Sequence, residues 1–444
     1  MRPLLSAVVL LIPLVASANP FETHGKLQVS KSGTYLEHKD GTPFLVLADT
    51  CWTGPTLSTE KDWQIYLDDR KAKGFTAVQF NCVCPWRTAP TDASGRASYE
   101  IKDGKLIPDS AFFDQLEARV KAINNAGMLA MPVLVWAHKK GDAGFDLSEE
   151  QIVELVNYEL GRLIKYHCLF IFAGDARYNQ TDAEKWRKVG RAVFEKYPGL
   201  LVTTHPTGTN FPWKGWENEK WLNVLGYQSG HGDDANTWKW LHSGPPAEYG
   251  KHKEFTRPVI NLEPPYENHN GYTSKKPHSD YSARRAIWWS LLVDPPAGVT
   301  YGGHGVWSWH AKPGEEPTDH KGTGVAKTWK EALNLPGAGQ IKHVATLFES
   351  IPWTQLRPTQ EFHQQEKGKD DPAMFIAGAK TTDNSTYVFY FPAGATGRTK
   401  LHIRGGPRHG IQWFDPRTGK WSERPTGGLY DKPDDQDWVM VVKP

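Results

Sequence analysis

From residue 44 onward the chain alternates between short apolar runs and longer amphipathic ones. Phe44 to Asp49, Phe75 to Val83, Leu129 to Trp136 and Leu169 to Asp175 have strand length and are almost wholly apolar. Between them Thr59 to Lys73, Ala111 to Asn125 and Ser148 to Tyr166 carry helical spacing, with Thr59 placed to cap its helix and Gly127 to follow the end of its own. The alternation continues through helix Asp182 to Tyr197, strand Leu200 to Thr204 and strand Asn223 to Gln228. It then runs through helix Thr237 to Lys251, strand Pro258 to Glu263, helix Tyr281 to Leu292, strand Val299 to Trp307 and a closing helix Ile341 to Glu349. Eight strands, each followed by a helix or a helix-sized segment, predict an α/β fold of the (β/α)8 TIM barrel type. Continuous apolar strands suit a parallel sheet buried on both faces. A doubly wound open sheet is the alternative, but no Gly-rich phosphate loop follows any strand.

The two ends of the chain differ from this middle. Leu27 to Lys39 and Gly41-Thr42-Pro43 read as a short hairpin across the bottom of the barrel, turning at Asp40-Gly41. From about Ile351 the helical spacing stops. Met374 to Ala379, Tyr387 to Phe391, Lys400 to Ile403, Ile411 to Phe414 and Trp438 to Val442 are short strand-like runs between Gly, Pro, Asn and Asp turns. They predict a small all-β sandwich domain over residues 352–444, after a barrel over 19–351. Residues 1–18 combine Arg2, the apolar Leu4 to Val15 and Ala16-Ser17-Ala18, the pattern of a signal peptide. The expected product is therefore exported, periplasmic or extracellular, and soluble, since no segment has the length of a membrane span.

Charge narrows the partners. With 52 basic and 50 acidic residues the formal net charge is +2, which gives no reason to expect nucleic acid, and nothing indicates an obligate protein partner. Cys51, Cys82, Cys84 and Cys168 lack zinc-finger spacing; in an exported protein the alternatives are a pairing of Cys51 with Cys82 or Cys84 and free buried thiols. The 19 Trp exceed what core packing usually needs. More than half should still be packing, leaving some as platforms for sugar rings.

In a barrel the strand C-termini converge on one mouth, so the residues there form an inventory of candidate chemistry. They are Asp49 and Trp52 after the first strand, Asn81 and Trp86 after the second, Trp136 and His138 after the third, and Asp175 with Arg177 after the fourth. His205 follows the fifth strand, Gln228 and His231 the sixth, Glu263, Tyr266 and Glu267 the seventh, and Trp307, Trp309 and His310 the eighth. Amide, imidazole and carboxylate groups suit sugar hydroxyls, and Trp suits the C–H face of the ring. Glycosidic cleavage also needs two carboxyl groups across the scissile bond. Asp175 and Glu263 end strands four and seven, on opposite sides of an eight-stranded mouth, and meet that need. Asp49 either binds a substrate hydroxyl or caps the Thr50-Cys51-Trp52 turn, and Arg177 is expected to pair with a carboxylate. Glu267 rivals Glu263 but lies past Pro264-Pro265, in the loop. His138, His205, His231, His304 and His310 have no metal-binding spacing, so neither a metal nor a cofactor is expected.

Two stretches match a family. Leu36 to Trp52, with Asp40-Gly41-Thr42-Pro43-Phe44-Leu45-Val46-Leu47-Ala48-Asp49 inside it, and Tyr66 to Gln79 resemble the opening of the apiosidase-like glycoside hydrolases, related to glycoside hydrolase family 140. Trp413 to Gly419 resembles the small β-domain, labelled collagen-binding, that follows the barrel in that family. The resemblance implies a (β/α)8 glycosidase with an Asp after strand four and a Glu after strand seven, here Asp175 and Glu263. The family's fourth strand usually ends Gly-Gly-Asp, where this chain has Ala173-Gly174-Asp175.

The leading expectation is an exported glycosidase acting on a complex plant or algal glycan with retention, with Glu263 as nucleophile and Asp175 as general acid/base. The acid role requires an elevated Asp175 pKa, which its apolar strand favours. A carbohydrate-binding protein without catalysis would use the same aromatic mouth and need neither carboxylate. A polysaccharide lyase would need a uronate substrate and a Tyr or His base.

Overall fold

In the computed structural model, which describes residues 19–83, 91–179, 181–252, 257–360, 363–399, 410–422 and 432–443, the apolar runs become one parallel sheet. Its strands are β1 (Val46–Thr50), β2 (Ala77–Asn81), β3 (Leu129–Trp136), β4 (Leu169–Gly174), β5 (Leu201–Thr203), β6 (Leu225–Tyr227), β7 (Val259–Asn261) and β8 (Pro296–Tyr301). They are ordered β5-β4-β3-β2-β1-β8-β7-β6, so the first and last strands of the chain's barrel are neighbours. The remaining seam, β5 to β6, is joined by Val224 N–H donating to the Val202 carbonyl at 3.1 Å. Asn223 bridges the same seam, accepting from Val202 N–H at 2.9 Å. Gly226 is what lets the strands close, since a Cβ there would lie 2.1 Å from the Thr204 carbonyl oxygen.

Burial on both faces explains why the strands read as unbroken apolar runs. On β4, Leu169 and Ile171 join the barrel interior with Val46, Ala48, Met131 and Ile260, while Phe170 and Phe172 pack outward among the helices. Below the barrel, Leu27–Val29, Leu36–His38 and Pro43–Phe44 form an antiparallel three-stranded sheet whose Leu36 and Phe44 complete the interior. Helices follow most strands where the pattern placed them, and Thr59 caps Glu60–Ala72 by accepting from Asp62 N–H. Two segments differ. The expected helix over 237–251 is two helices, Ala235–Ser243 and Pro245–Tyr249, because Gly244 and the Pro245-Pro246 pair interrupt the hydrogen-bond ladder. After β5 the chain runs irregularly, and Trp213, Trp216 and Trp221 fill the place of a helix as buried packing. The expected eighth strand also stops early, at Tyr301, which leaves Trp307 on the following loop.

The C-terminal domain is all-β and antiparallel: a six-stranded sheet built on Ala377–Thr381, Tyr387–Phe391, Trp438–Lys443 and Gly410–Asp415, with a separate two-stranded ribbon. Alternation along its strands divides two surfaces. Val388, Tyr390, Val439 and Val441 belong to the barrel's core, whereas Phe389, Phe391, Trp438 and Met440 build the domain's own. The junction with the barrel helix Asp280–Val293 includes a buried pair, Arg284 Nη2 to Asp437 Oδ1 at 2.7 Å, and Trp288 parallel to Tyr390.

Cys51, Cys82 and Cys168 are free and buried. Cys84, Trp86, the signal-peptide residues 1–18 and the expected strand Lys400 to Ile403 lie outside the described residues. No helix among the described residues is long and apolar enough to cross a membrane.

Candidate active site

β4 ends beneath an aromatic ring. A Cβ on Gly174 would stand 2.1 Å from Trp136 Cε3, so only glycine lets the Trp136 indole lie across the strand end. The chain then turns through Asp175 with φ 48°, a left-handed conformation that Asp tolerates better than most residues. Its carboxylate oxygen Oδ1 accepts from Gln228 Nε2 at 3.0 Å, and its backbone N–H points to His205 Nδ1 at 3.4 Å.

Glu263 lies two residues beyond β7. Asn261, the last residue of that strand, accepts from Glu263 N–H at 3.3 Å, and the Glu263 carbonyl accepts from Gly230 N–H at 2.9 Å. These bonds tie the ends of β6 and β7 together beneath the carboxylate. Two imidazoles reach it: His231 Nε2 stands 2.8 Å from Oε1, and His205 Nε2 stands 3.3 Å from Oε2. Each ring has a backbone N–H on its other nitrogen, Tyr266 N at 3.3 Å from His231 Nδ1 and Asp175 N at 3.4 Å from His205 Nδ1. With Nδ1 accepting, both histidines carry the proton on Nε2; that of His231 is hydrogen-bonded to Glu263, and that of His205 lies beside the carboxylate without an aligned bond.

His205 is therefore a wedge between the two carboxylates, fully buried, with Trp52 and Trp136 against its ring. Asp175, His205 and Glu263 bring one polar atom each within 4.8 Å of one another. They are the one group of this kind among the described residues, but an imidazole with Nε2 protonated and Nδ1 accepting has no lone pair left for a cation. The electrostatic consequence separates the acids. Burial, reinforced by the nearby Glu263 charge, pushes the Asp175 carboxyl up to about 7. Burial opposes ionisation of Glu263 too, yet the close imidazoles of His205 and His231, the latter hydrogen-bonded to it, outweigh burial and hold that carboxyl well below its usual range.

Both acids open into a cleft of about 410 Å³. Of the residues expected at the mouth, Trp52, Trp136, His138, Asp175, Gln228, His231, Glu263, Tyr266 and Trp307 line it. Trp307 is held there by its Nε1–H donating to His304 Nδ1 at 3.1 Å. Others lie elsewhere. Asp49 neither faces the cleft nor caps a turn: it is fully buried against Arg70 Nε at 2.7 Å and the Tyr66 hydroxyl at 2.8 Å. Trp309 stacks on Trp329 with ring centroids 4.2 Å apart, in the packing between helices and barrel. Asn81 is buried at the end of β2 and is not among the residues lining the cleft. Arg177 is exposed, and no carboxylate among the described residues lies within ion-pairing distance of it. Glu267 accepts from the Tyr301 hydroxyl at 2.6 Å and from Gly337 N–H at 2.9 Å, at the start of the last barrel helix, rather than facing the cleft.

The cleft also contains residues that strand-end reasoning does not find, among them Asp142, Thr207, His269, Tyr272, His320 and Lys321. Asp142 shapes the loop after β3, accepting from His138 N–H at 3.0 Å and Lys139 N–H at 2.8 Å. His269, Tyr272, His320 and Lys321 belong to the long connections after β7 and β8. The length of those two connections was the available signal.

An eight-stranded barrel whose mouth holds two carboxyl groups in contrasting environments is the architecture of a glycoside hydrolase. Residues 30–355 match the family described as "Apiosidase-like, catalytic domain", and residues 358–443 match "Putative collagen-binding domain of a collagenase". The chain belongs to the apiosidase-like family and is a glycoside hydrolase. A search of curated proteins found no match. Among solved structures, one titled "Glycoside hydrolase" superposes with a TM-score of 0.78 at 21% identity, covering 96% of this chain and 98% of its own. A glycoside hydrolase family 5 structure from Bacteroides vulgatus ATCC 8482 gives the same TM-score and identity over 96% of this chain and 93% of its own. Both are similar in fold along almost the whole length.

Proposed function

We propose that the protein is an exported glycosidase that cleaves a bond in a complex plant or algal polysaccharide or oligosaccharide with retention of configuration. The observation that carries this reading is the opposed state of two carboxyl groups facing one cleft, Asp175 raised to about 7 and Glu263 held low. Their nearest oxygens lie within 4.8 Å, close to the roughly 5 Å spacing of retaining pairs and too near to seat the water of an inverting one.

In the first step Glu263 attacks the anomeric carbon as the bond to the leaving oxygen breaks, and Asp175 delivers its proton to that oxygen. In the second, Asp175, now a carboxylate, takes a proton from water. The water oxygen displaces Glu263 from the anomeric carbon, restoring both groups. The Nε2–H groups of His205 and His231 keep Glu263 ionised before attack and receive its charge when it leaves. Trp52, Trp136, Tyr266 and Trp307 give the cleft an apolar wall against the sugar, and His138, Gln228 and His231 offer hydrogen bonds.

The test incubates the mature protein and its Glu263→Gln variant with pectic, hemicellulosic and algal polysaccharides. Saccharide release by the wild type alone, with the new anomer matching the old by early-time NMR, supports the reading. Release with the inverted anomer removes the nucleophile role, and glycan retention by both proteins without release removes the catalytic assignment of the two residues.

A further inference from the structure

We propose that Tyr272 is the platform of a leaving-group subsite, stacking on the C–H face of a pyranose ring joined to the scissile bond. The proposal rests on the assignment of Asp175 as the acid, because the leaving oxygen must lie on the Asp175 edge of the cleft. That edge can be traced. Gln228 donates to Asp175, and a Cβ on Gly208 would stand 3.1 Å from Gln228 Oε1. A Cβ on Gly230 would in turn stand 3.6 Å from the Gly208 Cα. Thr207, Gly208 and Gly230 thus floor the cleft beside the acid with little side-chain bulk, leaving room for a ring.

Tyr272 stands beside this floor. Its backbone N–H donates to the carbonyl of His231, the residue after Gly230, at 3.0 Å. The flanking turn is fixed by Asp233, whose Oδ1 accepts from Thr273 N–H at 2.9 Å and Ser274 N–H at 3.1 Å. A second anchor joins the Thr273 hydroxyl to Asp234 at 2.9 Å. The ring meets His231 and His269 in edge-on contacts at 5.5 and 5.9 Å, yet Tyr272 remains 57% exposed. The exposed ring therefore stands on a firmly held backbone. Inside a cleft, such a ring presents a pre-ordered face, and stacking then costs little conformational entropy.

The experiment compares wild type, Tyr272→Ala and Tyr272→Phe on two substrates. One is the polysaccharide the wild type cleaves; the other is the glycosyl fluoride of the sugar it releases, whose single-atom leaving group reaches no subsite. The expected result for Tyr272→Ala is a fall in kcat/KM of about tenfold or more on the polysaccharide and less than about threefold on the fluoride, with Tyr272→Phe close to wild type on both. Equal losses on the two substrates, no loss on either, or a Phe variant as impaired as Ala overturns the stacking role. If Asp175→Asn keeps wild-type kcat/KM on the polysaccharide, the acid assignment fails and the subsite with it; if only the Tyr272 comparison fails, the glycosidase reading stands.

Discussion

Two buried clusters in this barrel each contain a carboxylate that sequence places at a strand end, and they are built differently. At β1, Asp49 meets the guanidinium of Arg70 and the hydroxyl of Tyr66, all fully buried. At the mouth, Asp175 and Glu263 meet an amide, two imidazoles and each other. A guanidinium keeps its charge at every accessible pH and has no proton to exchange, so although burial pushes the Asp49 carboxyl up, its partner cannot take part in proton transfer. Imidazoles and a second carboxyl group leave the balance of charge dependent on protons, so the mouth can exchange one during a reaction. Burial alone does not distinguish structural acids from reactive ones; the partner does.

The largest expected effect that sharpens this contrast is Glu263→Gln, which removes the nucleophile and should lower kcat by about 10⁴-fold or more, measured on the polysaccharide that wild type cleaves. Asp175→Asn follows, with a loss of roughly 10² to 10⁴-fold on that substrate. A glycoside whose leaving group needs no proton should recover most of kcat/KM, which reports the first step, whereas it should not rescue Glu263→Gln.

Asp49→Asn should act on stability instead. Removing one carboxylate leaves the buried Arg70 with only its Nη1 contact to Asp69 at 2.6 Å, at a cost of about 3 kcal/mol, read from urea unfolding. The pH profile of the folded fraction should stay that of wild type. A shifted profile would mean that the two clusters are coupled and the contrast drawn here is false.

The smallest effect concerns pH. Because Asp175 must hold its proton to act as acid, kcat/KM should decline as pH rises through about 7, and Asp175→Asn should lack that limb. Stability has the same sign. The folded pKa is raised from 3.8 to about 7, so the folded state binds the extra proton within that window. The associated stability is complete below the lower value and lost as pH rises through the upper one. Unfolding midpoints of wild type and Asp175→Asn should therefore diverge with rising pH across this range, and parallel curves would contradict the raised pKa.

The barrel and the all-β domain were legible in the chain because the information is local. A buried parallel strand needs a continuous apolar run and a covering helix needs 3.6-residue spacing, whatever else the chain does. The same logic placed Asp175 and Glu263 at strand ends, since a carboxylate closing an apolar run has few other destinations. The helical spacing over 237–251 is interrupted at Gly244 and the Pro245-Pro246 pair, a local signal that divides it into two helices.

Which groups meet at the mouth was decided by tertiary structure. Strand order favoured Asp175 as the acid but left Asp49 a candidate at the mouth, because the Arg70 that pairs with it lies 21 residues away on a helix. It could not set the protonation order of the dyad either. That order depends on His205 and His231, which approach Glu263 from 58 and 32 residues away in sequence, and Coulomb and hydrogen-bond energies follow distance in space. Tyr272, His269 and His320 entered the cleft through loops whose paths no periodicity describes. Local patterning determined where the strands end; the closing of the barrel determined which strand ends do chemistry.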